Sequence, residues 1–189
     1  HRGRLQAGET VLIHGASGAT GLAAVHVAKL LGATVIATGR SEDKLAVVKE
    51  QGADHTIACT DDLSGPRSLR AQVRELTSGR GVQVVYDGVG GAISLESLRC
   101  VQFGARYLIV GWAGTPFVAQ GKGGRGAPNA NLLPTNLIMM KGLDVLGCPT
   151  VISTENDPSI RGWITCHSHL PGISVRPTSH AAVTPVIFS

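Results

Sequence analysis

Residues 11–21 read Val11-Leu12-Ile13-His14-Gly15-Ala16-Ser17-Gly18-Ala19-Thr20-Gly21. A short apolar run is followed by a glycine turn and then by a stretch, 20–31, that is apolar nearly all round and stops at Gly32. A strand that turns into a helix makes an anion site, because the first helical turn presents unpaired N–H groups and the positive end of its dipole. Gly18 lets the backbone come close to a pyrophosphate, and Gly21 lets the helix pack close to the strand. Ala16 stands where the usual G-x-G-x-x-G pattern has its first glycine, giving A-x-G-x-x-G. The pattern alone is weak evidence, and the strand before it and the helix behind it supply the context it requires. The bland alternative is a tight turn that binds nothing.

Outward from this turn the same arrangement repeats. Short runs at 11–14, 34–38, 55–58, 82–86, 106–110 and 143–146 are rich in Val and Ile, as strands buried on both faces are. Helical stretches separate the first five. Ser41 caps the second helix, with Glu42 and Asp43 in its first turn, where the dipole favours acids. That helix packs through Leu45 and Val48 and stops at Gly52. A third has Pro66 near its start and Leu69, Val73 and Leu76 on one stripe. A fourth, 92–100, is expected to bury Leu95 and Leu98. Such alternation predicts an α/β fold, a doubly wound parallel sheet with helices on both faces. Residues 113–135, rich in Gly, Pro and Asn, read as one long loop. After 151 the composition changes, with no lysine beyond Lys141 and no acid beyond Asp157. Residues 1–150 are thus expected to form a nucleotide-binding domain and 151–189 an irregular tail without helical period.

The tip of the second strand chooses between the two nicotinamide cofactors. An NAD site usually carries Asp or Glu there for the ribose 2′-OH. Here the strand ends Thr38-Gly39-Arg40-Ser41, without an acid. Arg40 offers a planar donor fork for a 2′-phosphate, Ser41 a hydroxyl and Lys44 a point charge one turn further. The expected cofactor is therefore NADP(H). The alternative is that Arg40 and Lys44 are ordinary solvated charges.

Composition narrows the remaining classes. Glycine makes up 25 of 189 residues, near twice the usual share of ~7%, without a collagen period. Aromatics at 4% are too few for a base-stacking nucleic-acid binder, and the net charge of +4 is mild and scattered. No nucleic-acid partner is expected. No apolar run reaches the ~18 residues of a membrane span, so no membrane partner is expected either. Cys59, Cys100, Cys148 and Cys166 lie far apart with no CxxC pair, which reads as reduced thiols in an intracellular, cytoplasmic protein. The chain opens at His1 and reads as a piece of something longer, so a mitochondrial location stays open.

The blocks GETVLIHGASGATGLAAVHVAKLLGATVIATGRSEDKL, VVYDGVGG, ARYLIVGWAG and NLIMMKGLDVLGC resemble the medium-chain dehydrogenase/reductase superfamily. The branch they are most similar to is the zinc-independent quinone oxidoreductases of the zeta-crystallin type. The resemblance covers residues 3 to about 148 and implies a six-stranded Rossmann sheet with hydride transfer from NADPH to quinones or enones. It implies that Ala16, Ser17, Gly18, Ala19, Thr20 and Gly21 hold the pyrophosphate, and that Gly39, Arg40, Ser41 and Lys44 surround the 2′-phosphate. Residues 87–90, Asp87 among them, and Val110, Gly111 and Trp112 match the strand ends on the nicotinamide side. It further implies a homodimer paired through the sixth strands. Cys59 stands where the family usually has a Tyr, and 116–128 looks like an insertion. The GroES-like catalytic domain that normally precedes this one is expected to be missing from this chain. A non-catalytic NADP(H)-binding module and a truncated, inactive product are therefore the rival readings, and a zinc alcohol dehydrogenase origin is a weaker one.

Several other residues have two readings. Asp87 could hold a ribose or cap the turn at Gly88. Trp112 could adjoin the nicotinamide or pack in the core. His14 could lie near the cofactor, but reads better as a hydrogen-bonded buried histidine. Cys166-His167-Ser168-His169, with His180, has metal-ligand residue types without a scaffold to hold them, so no metal is expected. No pair reads as a general acid and base, and no catalytic residue is assigned. Hydride transfer depends more on cofactor placement than on proton shuttles.

Overall fold

The computed structural model describes residues 2–59, 68–115 and 132–149. The tail, the His167–His169 cluster, Pro66 and most of the expected long loop lie outside the described residues. Six parallel strands form one sheet: β1 (Thr10–Ile13), β2 (Thr34–Gly39), β3 (His55–Ala58), β4 (Val82–Asp87), β5 (Val101–Ile109) and β6 (Asp144–Gly147). Their spatial order is β3-β2-β1-β4-β5-β6. The chain runs outward from β1 in one direction, then returns to β4 and runs outward in the other. Crevices at the carboxyl ends of β1 and β4, where the order reverses, are where such sheets bind ligands. The expected α/β, doubly wound, six-stranded Rossmann sheet is therefore the observed one.

Alternate strand residues feed two cores, as the two-residue period of a strand requires. Val11, Ile13, Val35 and Ala37 face α1 (Ala19–Leu30) and α2 (Glu42–Glu50), packing on Val25, Ala28 and Val48. Leu12, Ile36, Val85 and Tyr107 face the opposite side, with Leu69 and Val73 of α3 (Leu69–Leu76) and Leu98 of α4 (Ala92–Cys100). Burial on both faces explains why these strands lack polar alternation. Gly32 follows α1 with φ +77°, a left-handed conformation that suits glycine, and its N–H returns to Lys29 O at 3.0 Å. Ser41 and Ser68 cap α2 and α3 by accepting from the amides of Lys44 and Ala71.

Four local expectations need correction. Leu76 and Leu95 are exposed, at 38% and 36%, whereas Leu69, Val73 and Leu98 are buried. On α4 the inward face instead carries Ser94, Ser97 and Leu98, because buried polar partners wait beneath it. The fifth strand, expected at 106–110, is Val101–Ile109: α4 runs directly into β5, whose first residues bulge, since Val82 pairs with Val101 but Val84 already pairs with Arg106. Finally, a seven-residue helix, α5 (Thr135–Lys141), occupies the end of the stretch expected to be loop and overlaps 135. It closes at Gly142, φ +57°.

Candidate functional site

Four strand ends converge at the carboxyl edge between β1 and β4. After β1 the chain makes the turn Gly15–Gly21. Its amide framework is tied inward: His14 N–H donates to Tyr86 O at 3.0 Å, Ala16 N–H to Thr38 O at 3.0 Å and Gly18 N–H to Gly15 O at 3.0 Å. Ala16 is fully buried, while Ser17, Gly18, Ala19 and Thr20 line the open side.

The two motif glycines do different things. A Cβ on Gly21 would stand 2.7 Å from Ala16 Cα and 2.8 Å from Gly15 C, and closer still to Gly15 O, all backbone atoms that cannot step aside. Gly21 is a packing glycine. Gly18 has φ −81° and ψ 162°, which any residue adopts, and its Cβ would meet only Gly15 O at 3.4 Å. Nothing inside the fold demands glycine there. Its missing side chain keeps the outer face of the turn bare. Gly18 is also the N-cap of α1, with no side-chain hydrogen bond, in contrast to the serines of α2 and α3. The first-turn amides of α1 are thus left for an acceptor from outside, and the positive end of the dipole favours an anionic one. A dinucleotide pyrophosphate fits this cradle.

At the β2 tip, Gly39 is half-buried and Arg40 exposed, followed by Ser41 and an exposed Lys44. None of the four ion pairs among the described residues engages Arg40 or Lys44. The Ser41 hydroxyl oxygen accepts from Lys44 N–H at 3.4 Å, which leaves its own proton to donate.

Asp87, which ends β4, is fully buried. Its Oδ1 accepts from the amides of Val89 at 2.9 Å and Gly90 at 2.8 Å. Its Oδ2 accepts from the hydroxyls of Ser94 and of Tyr107, the latter at 2.6 Å. A carboxylate has about four acceptor positions, and all are taken here. Of its two sequence readings, the turn cap is therefore the one its geometry serves. Burial alone would raise its pKa, but His14, Ser94, Tyr107 and the Gly90 amide outweigh that and hold it below the usual carboxylate range. The same burial, with Asp87 alongside, pushes the Tyr107 phenol up.

The β5 end zips onto the β4 end: Val110 N–H reaches Asp87 O at 2.8 Å and Gly114 N–H reaches Val89 O at 2.7 Å. Val110 and Gly111 are half-buried. Trp112 is 51% exposed, so simple core packing does not account for it. Cys59, at the β3 end, is half-buried, and burial pushes its thiol up against the opposing effect of a hydrogen bond with Thr38.

His14 is the buried, hydrogen-bonded histidine the sequence suggested. Its Nδ1 lies 2.8 Å from Thr38 Oγ1 and its Nε2 2.6 Å from Ser97 Oγ. Burial lowers its pKa, although Asp87 pulls the other way. Thr38, Ser94, Ser97 and Tyr107 were not singled out in the sequence. The available signal was hydroxyl side chains inside apolar strand runs and at i, i+3 on a helix face.

Among the described residues no group of three or more His, Cys, Asp or Glu side chains could hold a metal ion, and no helix is long and apolar enough to cross a membrane.

The sequence profile described as zinc-binding dehydrogenase matches residues 19–159. Quinone oxidoreductase-like protein 2 of Mus musculus is 36% identical over 148 residues, which are 78% of this chain and 37% of the mouse protein. Among solved structures, the quinone oxidoreductase of Pseudomonas syringae is 30% identical with a TM-score of 0.64, covering 81% of this chain and 42% of that one. A mycobacterial protein solved in complex with NADPH is 26% identical with a TM-score of 0.72, covering 90% and 48%. The chain spans just over a third of the length of its mouse relative.

Proposed function

The chain belongs to the zinc-binding dehydrogenase family as the coenzyme-binding domain of a medium-chain dehydrogenase/reductase, and on that premise we propose that it binds NADP(H) for hydride transfer to a quinone or related enone. The observation that carries this reading is the pairing of a bare, uncapped Gly18 turn with an acid-free β2 tip bearing Arg40 and Lys44. Ser17, Ala19 and Thr20 present backbone N–H groups to the pyrophosphate. Arg40 and Lys44 bracket the 2′-phosphate, with a proton from Ser41. An acid in their place would repel that phosphate, which is why NADP(H) is favoured over NAD(H).

Asp87 acts one step removed. By capping its turn it fixes residues 88–90 against the β5 end, where Val110, Gly111 and Trp112 flank the nicotinamide side. When bound, the reduced nicotinamide supplies the hydride, and the chain's own contribution is placement and the exclusion of water. Residues 1–150 serve as the binding domain and 151–189 as an appended tail. The acceptor class rests on the likeness to quinone oxidoreductases. The free thiols Cys59, Cys100 and Cys148 suit a cytoplasmic setting. Among the described residues β6 is the sheet's edge strand, bonded to β5 on one side, and it is the surface through which two copies would pair.

The test is a fluorescence titration with NADPH and NADH on the chain and on Arg40→Glu combined with Lys44→Ala. NADPH binding is expected to weaken at least tenfold in the double variant, with NADH the weaker ligand of the unchanged chain, since each charge-assisted hydrogen bond contributes about 1.5–3 kcal/mol. Equal binding of both cofactors by both proteins would overturn the 2′-phosphate reading.

A further inference from the structure

We propose that His14 is a positioning residue for cofactor discrimination: by accepting from Thr38 and donating to Ser97, its ring pins the β2 tip that carries Arg40 to the phosphate turn and to α4. The proposal rests on the NADP(H) reading above and adds a residue that touches no cofactor.

The donor count sets the ring's tautomer. The Ser97 hydroxyl donates its single proton to Ile93 O, four residues back on α4, at 2.7 Å. Toward His14 it can then only accept, so the hydrogen sits on Nε2 and points at Ser97 Oγ, 2.6 Å away. Nδ1 is left with a lone pair, and the Thr38 hydroxyl must donate to it across 2.8 Å. One tautomer satisfies both ends, and a ring held at both ends does not turn.

Thr38 is the point at which this matters. Its carbonyl takes the Ala16 amide of the phosphate turn and its hydroxyl lies against His14 Nδ1, so both halves of the residue reach the β1 end, while the hydroxyl also meets the Cys59 thiol at the β3 end. The next residues are Gly39, which has no side chain to anchor, and Arg40, which is exposed. Gly39 O accepts from Cys59 N–H at 2.8 Å, on the β3 side. The His14–Thr38 bond is therefore a side-chain tie that holds the strand end before Arg40 to the β1 side. Through Ser97 it also reaches α4, whose Ser94 holds Asp87. One ring thus joins the end that selects the phosphate to the turn on the nicotinamide side.

Two near-isosteres separate the bonds. In His14→Asn the amide oxygen lies near the place of Nδ1 and can still accept from Thr38. In His14→Gln the amide nitrogen lies near the place of Nε2 and can still donate to Ser97. The Asn variant is expected to keep the wild-type ratio of NADPH to NADH affinity within about twofold. The Gln variant is expected to lose about tenfold in NADPH affinity, the size of one ordinary hydrogen bond, with NADH unchanged. Without cofactor, the amides of Gly39, Arg40 and Ser41 should exchange hydrogen faster in the Gln variant than in the Asn variant. If either variant fails to melt cooperatively, Thr38→Val, which removes the donor and keeps the shape, takes its place and should match the Gln result.

Unchanged affinity ratios together with unchanged exchange at 39–41 would overturn the proposal. A uniform loss for both cofactors in both variants would overturn it too, since that marks general damage. If the wild-type chain binds neither cofactor, the NADP(H) reading fails, and the exchange comparison still decides whether His14 holds the tip.

Discussion

Replacing Gly18 and Gly21 with alanine, one at a time, separates a glycine that serves the fold from one that serves a ligand. At Gly21 the new methyl would press on backbone at 2.7–2.8 Å and less, with no flexible side chain to give way. Overpacking this tight lies at the upper end of its usual range, about 3 kcal/mol, offset by the ~1 kcal/mol that alanine gains over glycine inside a helix, for a net of about 2 kcal/mol. For a chain of this size that lowers the melting temperature by roughly 4–8 °C. At Gly18 the backbone already has φ −81°, and the nearest atom to a new Cβ is 3.4 Å away. Only the weaker N-cap preference of alanine opposes the change, about 0.5 kcal/mol or a degree or two. Binding should show the reverse. The Gly18→Ala methyl stands on the bare face of the turn and holds a pyrophosphate off the first-turn amides. Losing one or two hydrogen bonds to a charged group at about 1.5–3 kcal/mol each weakens NADPH by ten- to a hundredfold or more. Thermal melts and NADPH titrations on both variants check this. A Gly18→Ala protein that melts and binds like the unchanged chain would refute the argument that the bare turn exists for an anion. A Gly21→Ala protein that melts like it would refute the claimed helix–strand contact.

Three further outcomes follow from the same geometry. Asp87→Asn offers one acceptor oxygen to four donors, so two buried donors meet an amide N–H; urea melts should show a loss of about 3 kcal/mol, at ~1–3 kcal/mol per orphaned group. His14 resists protonation in the fold, below its ordinary value of 6.5, with Asp87 the charged group facing it. Stability is therefore complete above about pH 6.5 and falls as the pH drops toward the folded-state value, with a slope of up to ~1.4 kcal/mol per pH unit that His14→Asn should remove. Asp54 and Asp87, both lowered from 3.8, hold their contribution until the pH falls below that value. Trp112→Phe should abolish most of the quenching of tryptophan emission on NADPH addition while leaving the melt unchanged, because Trp112 is half exposed beside the β4 and β5 ends. Quenching that survives intact would place the nicotinamide elsewhere.

The parallel sheet was legible because strands buried on both faces carry continuous Val and Ile runs, and because Gly32 and Gly52 stop helices where the pattern breaks. The phosphate turn was legible for a related reason: backbone close to backbone admits few residues, and Gly21 is one of them. What residue type could not convey was the direction of side chains at the strand ends. Leu95 looked like a core residue on α4, yet Ser94 and Ser97 face inward, since Asp87 and His14 lie under that face and a buried carboxylate and ring must have donors and acceptors. Asp87 itself was equally a ribose ligand or a cap until four donors were seen to fill it.

By itself, then, the sequence determined the alternation of strands and helices, the glycine turn and the acid-free β2 tip, because each depends on neighbours within a few residues. Tertiary structure alone decided that His14, Thr38 and Ser97, far apart in the chain, share one ring's two hydrogen bonds. That pairing depends on which strands lie side by side in the order β3-β2-β1-β4. Hydrogen bonds are satisfied in space, across elements that no local pattern brings together.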